Sequence, residues 1–216
     1  MRPLLTELER KNLDERVTEA EKRTDAQIVL AFTRRSDVYA ELPWKAFALG
    51  AGLAGLVTTL LDLLRPSWPG SHTILLTTTA ILAAGALCAL LCVLVPRFGR
   101  IFLETHRAET EVRQYAESLF LSRQIFATAK RTGVLLVVSL FEHRAVIIPD
   151  IGLKARLPLD AQNRIIARLR EPLAACRVGS ALEQGLAALE DALGAGTAVA
   201  PGKDELSNAV VEGEEA

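Results

Sequence analysis

Two long apolar stretches interrupt a chain whose polar and apolar positions otherwise alternate at helical or strand spacing. The first has no charge from Ala46 to Leu61 and, carried on through Asp62 to Leu64, covers 19 residues. At about 1.5 Å of rise per residue it spans roughly 28 Å, against about 30 Å of bilayer hydrocarbon. The second, Thr73 to Val95, runs for 23 residues without a charge, longer than an ordinary soluble core helix requires. The pattern predicts transmembrane helices over 44–64 and 73–95. The connector "RPSWPGSH" is short and turn-rich, so the spans form a hairpin whose two flanks emerge on the same side. Trp44 and Trp68 bracket the first span as interfacial anchors would.

Outside these stretches the periodicity is that of an α/β domain. Leu5, Leu8, Leu13 and Val17 form a helical stripe near the N-terminus, followed by the branched apolar run Ala26 to Phe32, a short buried strand. After the second span, "ETHRAETEVRQYAESLFLSRQIFATAK" predicts one long helix with Val112, Tyr115, Leu119 and Phe126 facing the core. Gly133 to Leu140 is a continuous apolar strand suited to burial on both faces. "FEHR" turns and "RAVIIPD" returns antiparallel, with Pro149 ending the pairing. "PLDAQNRIIARLREPL" and "GSALEQGLAALEDAL" are amphipathic helices, the last with Leu182, Leu186, Leu189 and Leu193 as its stripe. This order predicts helices layered over a small mixed sheet. Ile28–Phe32 should lie parallel to Val134–Ser139 through a right-handed crossover that the hairpin interrupts. The chain divides into 1–43, the hairpin 44–95, the remainder 96–196, and an acidic aperiodic tail, 197–216, expected to be disordered.

Charge adds an orientation. Arg34, Arg35 and Lys45 precede the hairpin and Arg97, Arg100 and Arg107 follow it, whereas its connector holds Arg65 and His72. Positive flanks stay inside, so both termini are expected in the cytoplasm. "MRPLLTELERKNLDERV" is too charged for the apolar core of a secretory signal. The net charge of −1 excludes a strongly basic nucleic-acid surface. Three cysteines make no disulfide framework, and Cys88 and Cys92, four apart in the second span, read as small helix residues.

"LGAGLAGLV" contains a formal G-x-G-x-x-G in Gly50, Gly52 and Gly55. A dinucleotide loop needs a strand directly before it and an acid about 20 residues beyond it. Neither is present, because the nearest later acid is Asp62 within the same apolar run. The pairs Ala48/Gly52 and Ala51/Gly55 instead offer a small-residue face for another helix.

Candidate chemistry gathers near the return strand. Glu142, His143 and Arg144 share the turn, Asp150 follows the strand, Asp25 precedes the first strand and Asp160 begins a helix. A hydrolase would use Asp150 and Glu142 to hold Ca²⁺ or Mg²⁺ and Arg144 to neutralise a phosphate. The ordinary reading is preferred, with Glu142 to Arg144 as a solvated turn, Asp160 as a helix cap, and Asp150 as a turn residue that Asn could replace. No P-loop, H-E-x-x-H, G-x-S-x-G or Cys/His set occurs.

"RTDAQIVLAF", "AESLFLSRQIFATAKRTGVLLVVSLFEHRAVIIPDIGL" and the closing "GSALEQGLAALEDAL" together resemble the TPM domain. The likeness is to a bacterial membrane-protein branch with a two-helix hairpin inserted after the first strand. The resemblance implies an α/β/α sandwich and a place in the bacterial inner membrane. It also implies a choice of functions, since some relatives are described as phosphatases and others as photosystem-repair or receptor-accessory proteins. More familiar relatives carry a signal peptide and hold the domain outside the cytoplasm, a plan from which this chain departs. Two expectations follow. One is a cytoplasmic TPM-like domain acting as a membrane-anchored interaction or accessory module, with the lipid bilayer and another membrane protein as partners and no nucleic acid. The other is a weak metal-dependent phosphatase acting on phosphomonoesters.

Overall fold

The computed structural model describes residues 4–64, 70–194 and 210–212. These fall into two compact units, Met1–Asp37 with His106–Ala216, and Val38–Thr105. The first is the α/β unit and the second is helical.

The α/β unit opens with α1 (Glu7–Thr24), started by a capping box in which Thr6 and Glu9 satisfy each other's backbone N–H groups. Its buried stripe is Leu13, Val17 and Ala20, while Leu8 stands 70% exposed. Five residues before Leu13, Leu8 lies about 140° around the helix, off the stripe that the sequence had assigned to it. Asp25 ends α1 in the left-handed region (φ 54°) and turns the chain into β1 (Gln27–Thr33), buried along its whole length.

The sheet has the order β3 (Arg144–Pro149), β2 (Gly133–Ser139), β1, β4 (Val211–Glu212). β1 runs parallel to β2 with Ile28 opposite Val134 and Phe32 opposite Val138, the pairing expected across the hairpin. β2 pairs antiparallel with β3, Leu136 facing Ile147. Because strand side chains alternate, Ile28, Leu30, Phe32, Val134, Leu136 and Val138 all reach one face. There they meet α1, α6 (Leu159–Ala174) and α7 (Val178–Gly194). Val29, Ala31, Leu135 and Val137 reach the other face, against Ala116 of α5 (Thr105–Ser122) and Ile125 of a 3-10 turn (Ile125–Ala127). The result is an α/β/α sandwich. Gly185 lets α7 sit directly on β2, since a Cβ there would come within 2.5 Å of Leu136.

Three local expectations are corrected. The long helix stops at Ser122, because Gln124 adopts φ 52° and begins the 3-10 turn, so Ile125 takes the core position assigned to Phe126. Asp160 is not the cap of α6; Pro158 is, and Asp160 lies in the first turn, where its charge favours the helix dipole. The tail is not wholly irregular, since Val211–Glu212 form β4, parallel to β1 at Ala31 and Phe32. Residues 197–209 and 213–216 of the tail and residues 65–69, Trp68 among them, lie outside the described residues.

In the helical unit, α2 (Glu41–Leu64) and α3 (Ser71–Leu94) are both long and apolar enough to cross a membrane. Each begins slightly before the predicted span; Pro43 falls in the first turn of α2, where its missing N–H is harmless. The helices meet through Gly50, whose Cβ would come within 2.6 Å of Cys88 Sγ, and through Gly85, set against Phe47. The contact therefore misses the predicted small face: Gly52 and Gly55 have nothing within 4 Å of a built Cβ. Helix α4 (Pro96–Gly99) and a 3-10 turn (Arg100–Phe102) follow, with Lys45 and Glu104 paired at 2.7 Å.

Candidate functional site

The predicted trio Glu142, Arg144 and Asp150 frames β3, and the strand itself keeps its members apart. Glu142 lies in the turn before β3 and Asp150 directly after it. A six-residue strand at about 3.3 Å per residue covers roughly 20 Å. Ligands of one hard cation must each come within about 2.6 Å of it. A single ion shared by Glu142 and Asp150 does not fit this arrangement.

Each carboxylate has its own surroundings. Glu142, 7% exposed, sits at the carboxyl ends of the parallel strands β1 and β2, where α/β sheets commonly bind ligands. Its Oε1 accepts from the N–H of Ser36 (3.0 Å) and the Ser36 hydroxyl (2.6 Å), and its Oε2 accepts from Ser139 Oγ at the end of β2. The carboxylate thus ties the loop after β1 to the turn after β2. Beside it, the Arg35 guanidinium lies over the Phe141 ring at 4.5 Å. His143 takes φ 51° to close the turn, and its Nε2 lies 3.8 Å from Cys176 Sγ.

Asp150, 4% exposed, is at the other end of the sheet. Arg131 grips it with a two-pronged pair, Nε to Oδ2 at 2.8 Å and a terminal nitrogen to Oδ1 at 3.0 Å. The Ile151 N–H also donates to Oδ1 at 2.7 Å, capping the 3-10 turn Ile151–Leu153. These side-chain hydrogen bonds, with the carboxylate's charge behind them, hold the Arg131 guanidinium above its ordinary pKa. Gly152 completes the clamp: its N–H donates to the Arg131 carbonyl, and a Cβ there would meet that oxygen at 2.6 Å. Asp150 thus caps the turn, as expected, and is also the anchor of a buried ion pair. Nearby, Asp25 pairs with Lys130 at 2.8 Å.

Arg144 belongs to a third place. It lines a groove of about 470 Å³ between α5, β3 and α6, together with Arg113 and Arg170, and is held by Glu109 at 3.1 Å. Neither Glu142 nor Asp150 lines it. Among the described residues, no three His, Cys, Asp or Glu side chains gather as a cation would require. The partners that define these places escaped the sequence reading. Ser36 lies 106 residues from Glu142 and Arg131 lies 19 from Asp150, and no local motif announces either.

A four-stranded sheet between helices, with a parallel first pair split by an insertion, can be set against known families. The family model described as TPM domain matches residues 89–192. This chain carries a TPM domain. The match begins within α3 and runs to the end of α7, so α1 and β1 lie before it and complete the TPM sandwich from the other side of the hairpin. The NMR structure of the BA42 protein from the psychrophilic bacterium Bizionia argentinensis is similar over 99% of this chain and 98% of its own, with TM-score 0.57 and 16% identity, a likeness of fold alone. No curated protein matches the chain.

Proposed function

We propose that this protein is a membrane-anchored interaction or accessory module. In this reading α2 and α3 cross a bacterial inner membrane as a hairpin, both termini lie in the cytoplasm, and the TPM domain docks another membrane protein. The charge-free spans and the arginines at their flanks support the anchoring. The observation that carries the module over an enzyme is the separation of Glu142, Arg144 and Asp150 into three surroundings, each acid already engaged within the fold. The rival, a phosphomonoesterase using Ca²⁺ or Mg²⁺, needs these groups around one phosphate.

Photo-crosslinkers at the exposed positions Arg123 and Arg164 of the full chain in native membranes test the reading. A discrete crosslinked membrane protein is expected, together with no cation-dependent hydrolysis of a phosphomonoester by the chain purified in mild detergent. Hydrolysis that requires added Mg²⁺ or Ca²⁺ and disappears in Asp150→Asn, while the variant stays folded, would replace the module with the phosphatase. Reporter fusions at Ala216 and within 65–72 test the topology separately, and an externally active reporter at Ala216 reverses it.

A further inference from the structure

β3 is the outermost strand on one side of the sheet, so β2 occupies one of its edges. The Asp150 N–H donates to the Gly133 carbonyl at 2.8 Å, which sets the phase of the antiparallel ladder. Residues in such a ladder alternate between exchanging bonds with the partner and pointing their groups away from it. Arg144, Val146 and Ile148 therefore bond to Ser139, Val137 and Leu135, while the N–H and C=O of Ala145 and Ile147 point outward. Pro149 falls in the outward set, where its missing N–H breaks no ladder bond. The other side of the sheet differs, since β4 covers β1 at Ala31 and Phe32.

This outward edge floors the groove of about 470 Å³, with α5 as one wall and α6 as the other. The α6 wall presents Leu159 and Ile166 together with Gln162, Asn163 and Arg170. The α5 wall presents Arg113 alongside Glu109 and Glu117. Glu109 engages Arg144, whereas Arg113 and Arg170 form no ion pair among the described residues. An added strand would turn alternate side chains to the two walls, one carrying Leu159 and Ile166 with Arg170 a turn further along, the other carrying Arg113.

We propose that β3 is a strand-addition site for an extended segment of a partner protein in which apolar and acidic side chains alternate. Its backbone pairs with Ala145 and Ile147, its apolar side chains lie on Leu159 and Ile166, and its carboxylates meet Arg113 on the α5 wall, with the charge of Arg170 at the end of the α6 wall. Main-chain bonds supply affinity in such a mode and the walls supply selectivity. The proposal rests on the module reading and names the chemistry of its partner.

The test uses the full chain in detergent micelles and a synthetic peptide alternating valine with aspartate. Two controls carry lysine for aspartate, or N-methyl groups on alternate backbone nitrogens. The valine–aspartate peptide is expected to bind and to slow amide exchange at Ala145 and Ile147. Each control should bind about tenfold more weakly or worse, a loss of about 1.4 kcal/mol. Ala145→Pro should abolish binding; Arg113→Glu and Arg170→Glu, both at exposed positions, should weaken it while leaving thermal unfolding unchanged. No binding, equal binding of the N-methylated peptide, or protection confined to other strands overturns the proposal. So does protection of Ala145 and Ile147 that rises with protein concentration alone, which would assign the edge to a second copy. Crosslinking that survives Arg113→Glu and Ala145→Pro keeps the module and removes the groove. Peptide binding without any membrane crosslink keeps the groove and removes the module.

Discussion

Leu136 in the centre of β2 is wholly enclosed, whereas Leu56 in the middle of α2 stands 65% exposed. The α/β unit follows the rule for proteins in water, with branched and apolar side chains inside and charges on the helix backs. The helical unit reverses it. Its inner contact is made by Gly50, Gly85, Ala84 and Cys88, and the leucines of the apolar spans, such as Leu53, Leu56 and Leu87, stand exposed. Where the surroundings are as apolar as leucine, burying leucine gains nothing, and helices associate by close backbone approach instead. The same residue types therefore carry opposite meanings in the two units.

The sharpest way to break this contrast is one substitution made in both units. Leu136→Ala should destabilise the α/β unit by about 2–5 kcal/mol, read from thermal or denaturant unfolding of the detergent-solubilised chain. Leu56→Ala should change stability by less than about 0.5 kcal/mol. Equal effects would mean that α2 is packed like a soluble core helix. Glycine gives the second test, with opposite signs expected inside one helix. Gly50→Ala forces a Cβ to within 2.6 Å of Cys88 Sγ and 2.8 Å of the Ala84 carbonyl, and should cost about 1–3 kcal/mol and speed thiol labelling of Cys88. Gly52→Ala meets nothing within 4 Å and should strengthen the helix by a few tenths of a kcal/mol, up to about 1.

The α/β unit also holds a buried charge, which a water-facing domain must pair. Asp150→Asn removes half of the Arg131 clamp and should cost about 1–3 kcal/mol by denaturant unfolding. Arg131→Ala should cost a similar amount, and the double variant less than the sum of the two, because both remove one contact. The smallest effect is at the surface. The Thr6 backbone N–H, and then its hydroxyl, hold the Glu9 carboxyl below its ordinary value of 4.5. Its contribution is then full above the unfolded-state pKa and disappears as pH falls through the lowered folded value. For so exposed a group it is worth about 0.3 kcal/mol. Glu9→Gln should accordingly lower stability slightly near neutrality and leave it unchanged in strong acid.

Much of the sandwich was legible in the chain because its signals are local. Val134 to Val138 is a run of branched and apolar residues that only a doubly buried strand explains, and Leu182, Leu186, Leu189 and Leu193 repeat at helical spacing. The misses share one cause, dependence on distant groups. A two-residue strand in an acidic tail is defined by the free edge of β1, not by its own composition. The end of α5 rests on one left-handed residue, Gln124, whose type does not demand it. The candidate site fared worst. Glu142 and Asp150 are eight positions apart and read as neighbours, yet an extended strand carries them to opposite ends of the sheet. The groove arginines come from α5, β3 and α6, and only the fold assembles them.

The insertion between β1 and β2 also has a consequence in time. Ile28 and its sheet partner Val134 are separated by the whole hairpin and α5. At about 5–20 residues per second, the ribosome delivers β2 roughly 5–20 seconds after β1. During that interval a strand meant for burial on both faces has no neighbour, and its unpaired edges are open to wrong pairing. Local chemistry supplies one guard. The buried Glu21 side chain accepts the Ile28 N–H at 2.8 Å, so α1, synthesised just before, can engage the start of β1 while the rest of the sheet is still to come. Cutting that hold with Glu21→Ala should lower the yield of correctly assembled chain during synthesis more than it lowers the stability of chain already folded.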